Sequence, residues 1–152
     1  MTQFETRHHV AFTAQQMYDL VADVDKYPQF LPLCEGLVVR SRTASADDHL
    51  IVADMTVGYK AIRESFTSRV TLTPALHRVV AHANDGPFRH LENRWQFLDT
   101  PAGGCDVQFF VAYEFKSMML QLLMGAMFEH AVRRFTGAFE ERARAVYGRA
   151  GP

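Results

Sequence analysis

The sequence predicts an α+β domain, in which one strongly curved antiparallel sheet of seven strands wraps around a long C-terminal helix. Two short helical segments follow the first strand. Three observations lead there. Apolar residues alternate with a period of two between Glu35 and Phe115. Turn signals divide that region into runs joined by short connections, which pair as antiparallel neighbours, mostly in a meander. A stripe of apolar residues at helical spacing then closes the chain.

Thr2 to Val10 reads as the first strand. Thr13-Ala14-Gln15-Gln16 is a capping box, in which the threonine hydroxyl takes a free backbone N–H and the glutamine reaches back. Phe12 and Met17 occupy the two positions of a hydrophobic staple. The helix so started should run from Ala14 to about Ala22 and bury Met17, Leu20 and Val21. Asp23 and Asp25 suit its end and the cap of a second short turn at Tyr27-Pro28-Gln29-Phe30, which Pro32 stops.

Six strands follow. Ile51, Ala53, Met55 and Val57 alternate with more polar neighbours, and so do Phe66, Val70 and Leu72. Val79 and Ala81, then Leu91, Trp95 and Phe97, continue the pattern. Val107, Phe109, Val111, Tyr113 and Phe115 give its clearest form. Ser45-Ala46-Asp47-Asp48, Gly58, Thr73-Pro74, Asp85-Gly86-Pro87 and the stretch from Asp99 to Gly104 mark the turns. The last helix should run from Ser117 to Tyr147, on the order of 45 Å at 1.5 Å per residue. Leu120, Met124, Met127, Phe128, Ala131, Phe135, Phe139 and Val146 form its stripe. Gly125 and Gly137 suit a bend or a close backbone approach, and Gly148 suits the C-cap.

The chain of 152 residues fits one domain over residues 1–148, with a frayed tail over 149–152. Its composition, 48% hydrophobic and 22% charged, excludes a disordered or collagen-like chain. A net charge of -1 argues against DNA wrapping. The charge is uneven, however. Residues 116–152 hold six basic and three acidic side chains, so this segment suits either an acidic partner or a solvated helix face. Cys34 and Cys105 lie far apart with no CxxC or Cys/His cluster, which points away from zinc and towards a reducing compartment. His8 and His9 point to opposite faces of a strand and cannot share a metal. The N-terminus has no secretory pattern, and the apolar stretch from Met118 to Phe128 is too short to span a bilayer. The expected location is cytoplasmic, with peripheral contact at an inner membrane.

A curved sheet and a straight helix leave a gap, and an apolar gap is the default ligand site. Its candidate lining is Phe66, Phe88, Leu91 and Trp95 from the middle strands, and Phe109 and Val111 from the last one. Met124, Met127 and Phe128 come from the helix. Methionine adapts to irregular apolar ligands, and aromatic faces suit a flat ring, although core packing accounts for such residues as well. Glu64 shares a face with Ile62, Phe66 and Val70, so it is a candidate polar anchor or one half of an ion pair with an arginine. Arg133 and Arg134 flank the stripe at Phe135. They are candidate contacts for anionic lipid or rRNA, against pairing with Glu129, Glu140 and Glu141.

Val21-Ala22-Asp23-Val24-Asp25-Lys26-Tyr27-Pro28-Gln29-Phe30-Leu31-Pro32-Leu33-Cys34 resembles the N-terminal signature of the coenzyme Q-binding, START-like family. Arg63-Glu64-Ser65-Phe66-Thr67-Ser68-Arg69-Val70, and Gly86-Pro87-Phe88 followed by Trp95-Gln96-Phe97, are similar to its later blocks. Ala138-Phe139-Glu140-Glu141-Arg142-Ala143 with Tyr147-Gly148 resembles its ending. The likeness covers nearly the whole chain in order. It implies a helix-grip fold with an apolar cavity. Mitochondrial members bind ubiquinone in support of respiration, and a bacterial branch is a ribosome-association toxin that binds the large subunit. The absence of a mitochondrial presequence fits a bacterial member. The motif carries no catalytic residue. The expectation is therefore a non-enzymatic binder and deliverer of ubiquinone or a similar polyprenyl lipid that touches membranes transiently. The rival is a regulator of the large ribosomal subunit. An enzyme on the same fold would need a convergent pair of titratable groups, and Glu64 alone is a thin basis for one.

Overall fold

The computed structural model describes residues 1–148, and the expected tail over 149–152 lies outside the described residues. Strands β1 (Thr2–Val10), β2 (Cys34–Ala44), β3 (His49–Tyr59), β4 (Ile62–Thr73), β5 (Arg78–Ala83), β6 (Phe88–Asp99) and β7 (Cys105–Phe115) form one antiparallel sheet. Their spatial order is β1-β7-β6-β5-β4-β3-β2. Six strands run as a continuous meander, and the first closes on the seventh, with Thr2 opposite Tyr113 and Val10 opposite Cys105. Register shifts at Cys34/Gly36 and Val39/Ser41 in β2 are bulges, which bend and twist a strand.

Helix α1 (Ala14–Ala22) begins as its sequence requires. Thr13 Oγ1 accepts the Gln16 N–H at 3.1 Å, and Gln16 Oε1 accepts the Thr13 N–H at 2.9 Å. Asp99 adds a third bond, accepting the Ala14 N–H at 2.9 Å from the end of β6, two strands from β1. Met17 and Val21 are buried as expected, but Tyr18 takes the place assigned to Leu20, which is only half-buried. The next turn is a 3-10 helix over Val24–Gln29, three residues earlier than expected. Neither aspartate caps it through its side chain. Asp23 accepts the Lys26 N–H with its backbone carbonyl, and the Asp25 carboxylate pairs with Arg42. Gly58 lies inside β3 instead of at a turn, and the chain reverses at Lys60, whose φ is 55°. A side chain at Gly58 would meet only the movable end of the Glu35 side chain, so nothing rigid requires this glycine. At Gly86 the cause is conformation, because φ is +58° and the Ser65 carbonyl stands against it.

The expected long helix is two helices, α2 (Met118–Val132) and α3 (Phe135–Tyr147). The break is a tight turn in which Arg134 N–H reaches the Ala131 carbonyl at 3.0 Å, an i→i−3 bond. Neither glycine causes it. Gly137 has open space beside it, and Gly125 faces only Gln121 of its own helix. The turn lets Val132 and Phe135, on either side of it, face the same interior space. Val146 is 50% exposed; Ala143 is buried instead, and the Tyr147 hydroxyl donates to the Gln16 carbonyl at 2.9 Å. Gly148 is the C-cap, its N–H bonding the Arg144 carbonyl at 2.9 Å.

Aromatic side chains form most of the core. Trp95 and Phe109, opposite each other on β6 and β7, stack with centroids 4.6 Å apart and planes within 1°. Phe139 of α3 meets Trp95 edge-on at 5.0 Å, and Phe128 of α2 meets Tyr113 at 4.7 Å. Such pairs contribute about 0.5–1.5 kcal/mol each beyond their buried area. On the outer face Phe110 is half-buried under the guanidinium of Arg94 at 4.2 Å.

Candidate ligand cavity

The sheet and helices enclose an apolar cavity. Its volume is about 80 Å³, room for roughly six water-sized groups where one needs ~10–15 Å³. One wall is the inner face of β3 and β4, with Met55, Val57, Phe66 and Val70. A second is formed by Leu91, Trp95 and Val111 of β6 and β7. Phe128, Val132, Phe135 and Phe139 close it from the helices, and Leu31-Pro32-Leu33 closes it from the loop before β2. Pro32, Leu33, Leu37, Met55 and Phe135 are partly exposed, so the cavity nears the surface between that loop, the β2–β3 edge and α3.

The expected lining residues separate into two layers. Phe66, Leu91, Trp95, Val111 and Phe128 border the cavity. Phe88, Phe109, Met124 and Met127 do not. Phe88 is fully buried between Phe66, Phe115 and Phe128, at 5.1–5.3 Å from each ring. Phe109 stands with Phe4 at 6.1 Å on one side and Trp95 on the other. Met124 is buried in the core, and Met127 packs half-buried against it. These side chains face inward, but other side chains cover them.

Glu64 is also outside the cavity. It is half-buried opposite Val57 and makes no ion pair among the described residues, while the neighbouring Arg63 pairs with Glu35 at 2.9 Å. The polar groups that do line the cavity are few. The Asn93 amide donates to the Phe110 carbonyl at 3.0 Å and accepts the Trp95 indole N–H at 2.8 Å, so it is held in place. Tyr27 donates to the Val21 carbonyl, and burial pushes its phenol pKa far up. Burial likewise pushes the Cys34 thiol up to about 11. Ser68 is 6% exposed and hydrogen-bonds through its hydroxyl to no other described residue. Its position on β4, two residues after Phe66, is the signal that could have found it, since strand period places it on the same face.

Arg133 and Arg134 are both exposed at the helix break. Arg133 pairs with Glu129 at 3.2 Å and covers the Phe4 ring at 4.5 Å. Arg134 contacts His130 at 3.3 Å and pairs with no carboxylate among the described residues. His8 and His9 do diverge: His8 lies 3.9 Å from Glu140 of α3, and His9 3.2 Å from Asp106 of β7.

A curved sheet gripping C-terminal helices over an apolar cavity defines a helix-grip ligand-binding fold. Residues 10–140 match the polyketide cyclase/dehydrase and lipid transport family, and the chain belongs to it. It is 35% identical over 148 residues to the ribosome association toxin RatA of Vibrio cholerae, covering 97% of this chain and 99% of the relative. It is 36% identical over 144 residues to the mitochondrial coenzyme Q-binding protein COQ10 homolog B of Xenopus laevis, covering 92% of this chain and 57% of that protein. A START superfamily protein from Mycobacterium smegmatis superposes with a TM-score of 0.72 at 20% identity, covering 95% of this chain and 98% of that one.

Proposed function

We propose that the protein binds a lipophilic ligand, ubiquinone or a similar polyprenyl lipid, in this cavity and delivers it unchanged to respiratory electron transport. The observation that carries the reading is the cavity wall itself. It is apolar almost throughout and includes no carboxylate, imidazole, ammonium or guanidinium group, and burial keeps its Tyr27 phenol and Cys34 thiol protonated, which suits shelter better than proton transfer. Trp95 and Phe139, which meet edge-on at 5.0 Å, both border the cavity and give it an aromatic wall. Phe66, Leu91, Val111 and Phe128 supply the apolar contact, and the Ser68 hydroxyl is the polar anchor for a ring carbonyl. A space of about 80 Å³ is smaller than the ~150 Å³ that holds a benzene ring, so the ring enters only as the partly exposed Leu33, Met55 and Phe135 part, and the tail leaves past Leu33 and Met55.

A second reading is association with the large ribosomal subunit. The near-full-length likeness to RatA favours it, and the exposed Arg133 and Arg134 are its candidate contacts. The test is titration with a short-tailed ubiquinone analogue, followed through quenching of Trp95, beside co-sedimentation with large subunits at two salt concentrations. Saturable quenching is expected, with Ser68→Ala weakening affinity about five- to tenfold, since a hydrogen bond contributes about 1 kcal/mol and 1.4 kcal/mol is tenfold. Absence of quenching, together with salt-sensitive pelleting that Arg133→Gln with Arg134→Gln abolishes, would replace the carrier reading with the ribosomal one.

A further inference from the structure

We propose that the first half of α2 is a docking face for an anionic lipid surface. The proposal rests on the lipophilic-ligand reading, because it names the phase from which the ligand comes. Met118, Met119, Leu122 and Leu123 are 73%, 70%, 79% and 56% exposed. They fall at i, i+1, i+4 and i+5, which is one continuous stripe on a helix. The opposite side of the same helix is also apolar, but it is occupied: Met124 is buried in the core, and Phe128 packs on Tyr113 and borders the cavity. From Met118 to Phe128 the only polar side chain is Gln121, and no charge appears before Glu129. A helix apolar on both sides belongs in a core or at a membrane, and here only one side has a core.

Two features select lipid as the occupant. The first is charge. Lys116 precedes the helix, is exposed and has no carboxylate partner among the described residues. Arg89 donates to the Lys116 carbonyl at 3.1 Å and brings a second cation to the same corner; it lies 4.0 Å from the Glu114 carboxylate, so the corner keeps a net positive charge through Lys116. Cations at the rim of an apolar patch match anionic headgroups above acyl chains. The second is area. Four such side chains expose on the order of 500 Å², short of the roughly 800 Å² per partner of a stable protein interface. Shallow insertion into a bilayer has no such threshold. One helix then has lipid on one side and the cavity on the other.

Flotation with vesicles of phosphatidylcholine, alone or with one third phosphatidylglycerol, tests the proposal. The parent protein should float with the mixed vesicles. Leu122→Glu with Leu123→Glu should reduce binding at least tenfold at an unchanged melting temperature, because both side chains are exposed. Met118→Gln with Met119→Gln, a milder pair, should reduce it several-fold. Lys116→Gln should weaken binding to mixed vesicles alone, and less so at high salt. A parent that does not float, or a doubly substituted protein that floats as well as the parent, overturns the proposal. So does a parent that is dimeric and becomes monomeric on substitution, since the face would then belong to a second copy. Quenching of Trp95 by the short-tailed quinone should be unaffected by these substitutions. Vesicle binding that depends on the stripe, found without any quenching, would uphold the docking face while removing the quinone reading.

Discussion

Cys34 and Cys105 are both buried and unpaired, 6% and 0% exposed. Burial disfavours the thiolate, so the thiols stand at about 11 and about 12 against an ordinary 9.0. As pH rises above 9 the unfolded chain ionises first. The stability due to neutral thiols is therefore complete below pH 9 and is lost as pH climbs through about 11 and 12. Between about pH 8 and pH 10 the unfolding free energy, read from the urea midpoint at unchanged slope, should fall by on the order of 1 kcal/mol per thiol, and fall less in the Cys34→Ala and Cys105→Ala variants. A fall as large as the parent's in both variants would remove the thiols as the cause. In the native protein at pH 8 neither thiol should react readily with iodoacetamide.

Helix α1 is held at its start by a residue far away in sequence, the last of β6, since Asp99 accepts the Ala14 N–H. Asp99→Ala leaves that N–H without its partner and should lower stability by about 1 kcal/mol, read as a shift in the denaturation midpoint at unchanged slope. No local pattern announces this bond, whereas the capping box beside it is legible because Thr13 and Gln16 are three residues apart. The same division runs through the other elements. Val107, Phe109, Val111, Tyr113 and Phe115 alternate so regularly that β7 follows from them. The helix break does not follow, because Ala131, Val132, Phe135, Phe139 and Ala143 keep one spacing across it and no glycine or proline marks it. Periodicity also gives a side chain's face but not its depth. Trp95 and Phe109 both point inward, yet only Trp95 reaches the cavity, and Ser68 was hidden because a hydroxyl breaks the apolar pattern that defines a core face.

At the scale of the whole molecule the sheet depends on the helices for its inner cover. Removing all residues after Lys116 takes away Phe128, Val132 and Phe139 and leaves Trp95, Val111 and the stacked Phe109 facing water. Such a truncated chain should aggregate or lack a cooperative melt, and a soluble, cooperatively melting product would contradict the claim. The closure of β1 on β7 has a consequence in time. β1 leaves the site of synthesis well before its partner and stays unpaired until β7, some hundred residues later, has been made. Until then an edge of nine residues stays unpaired, and the loop that joins the two ends costs entropy before their contact is formed. This long-range pairing should therefore be slow to form, and the contacts of Phe4 with Phe109 and of His8 with Glu140 should be among the last made in folding.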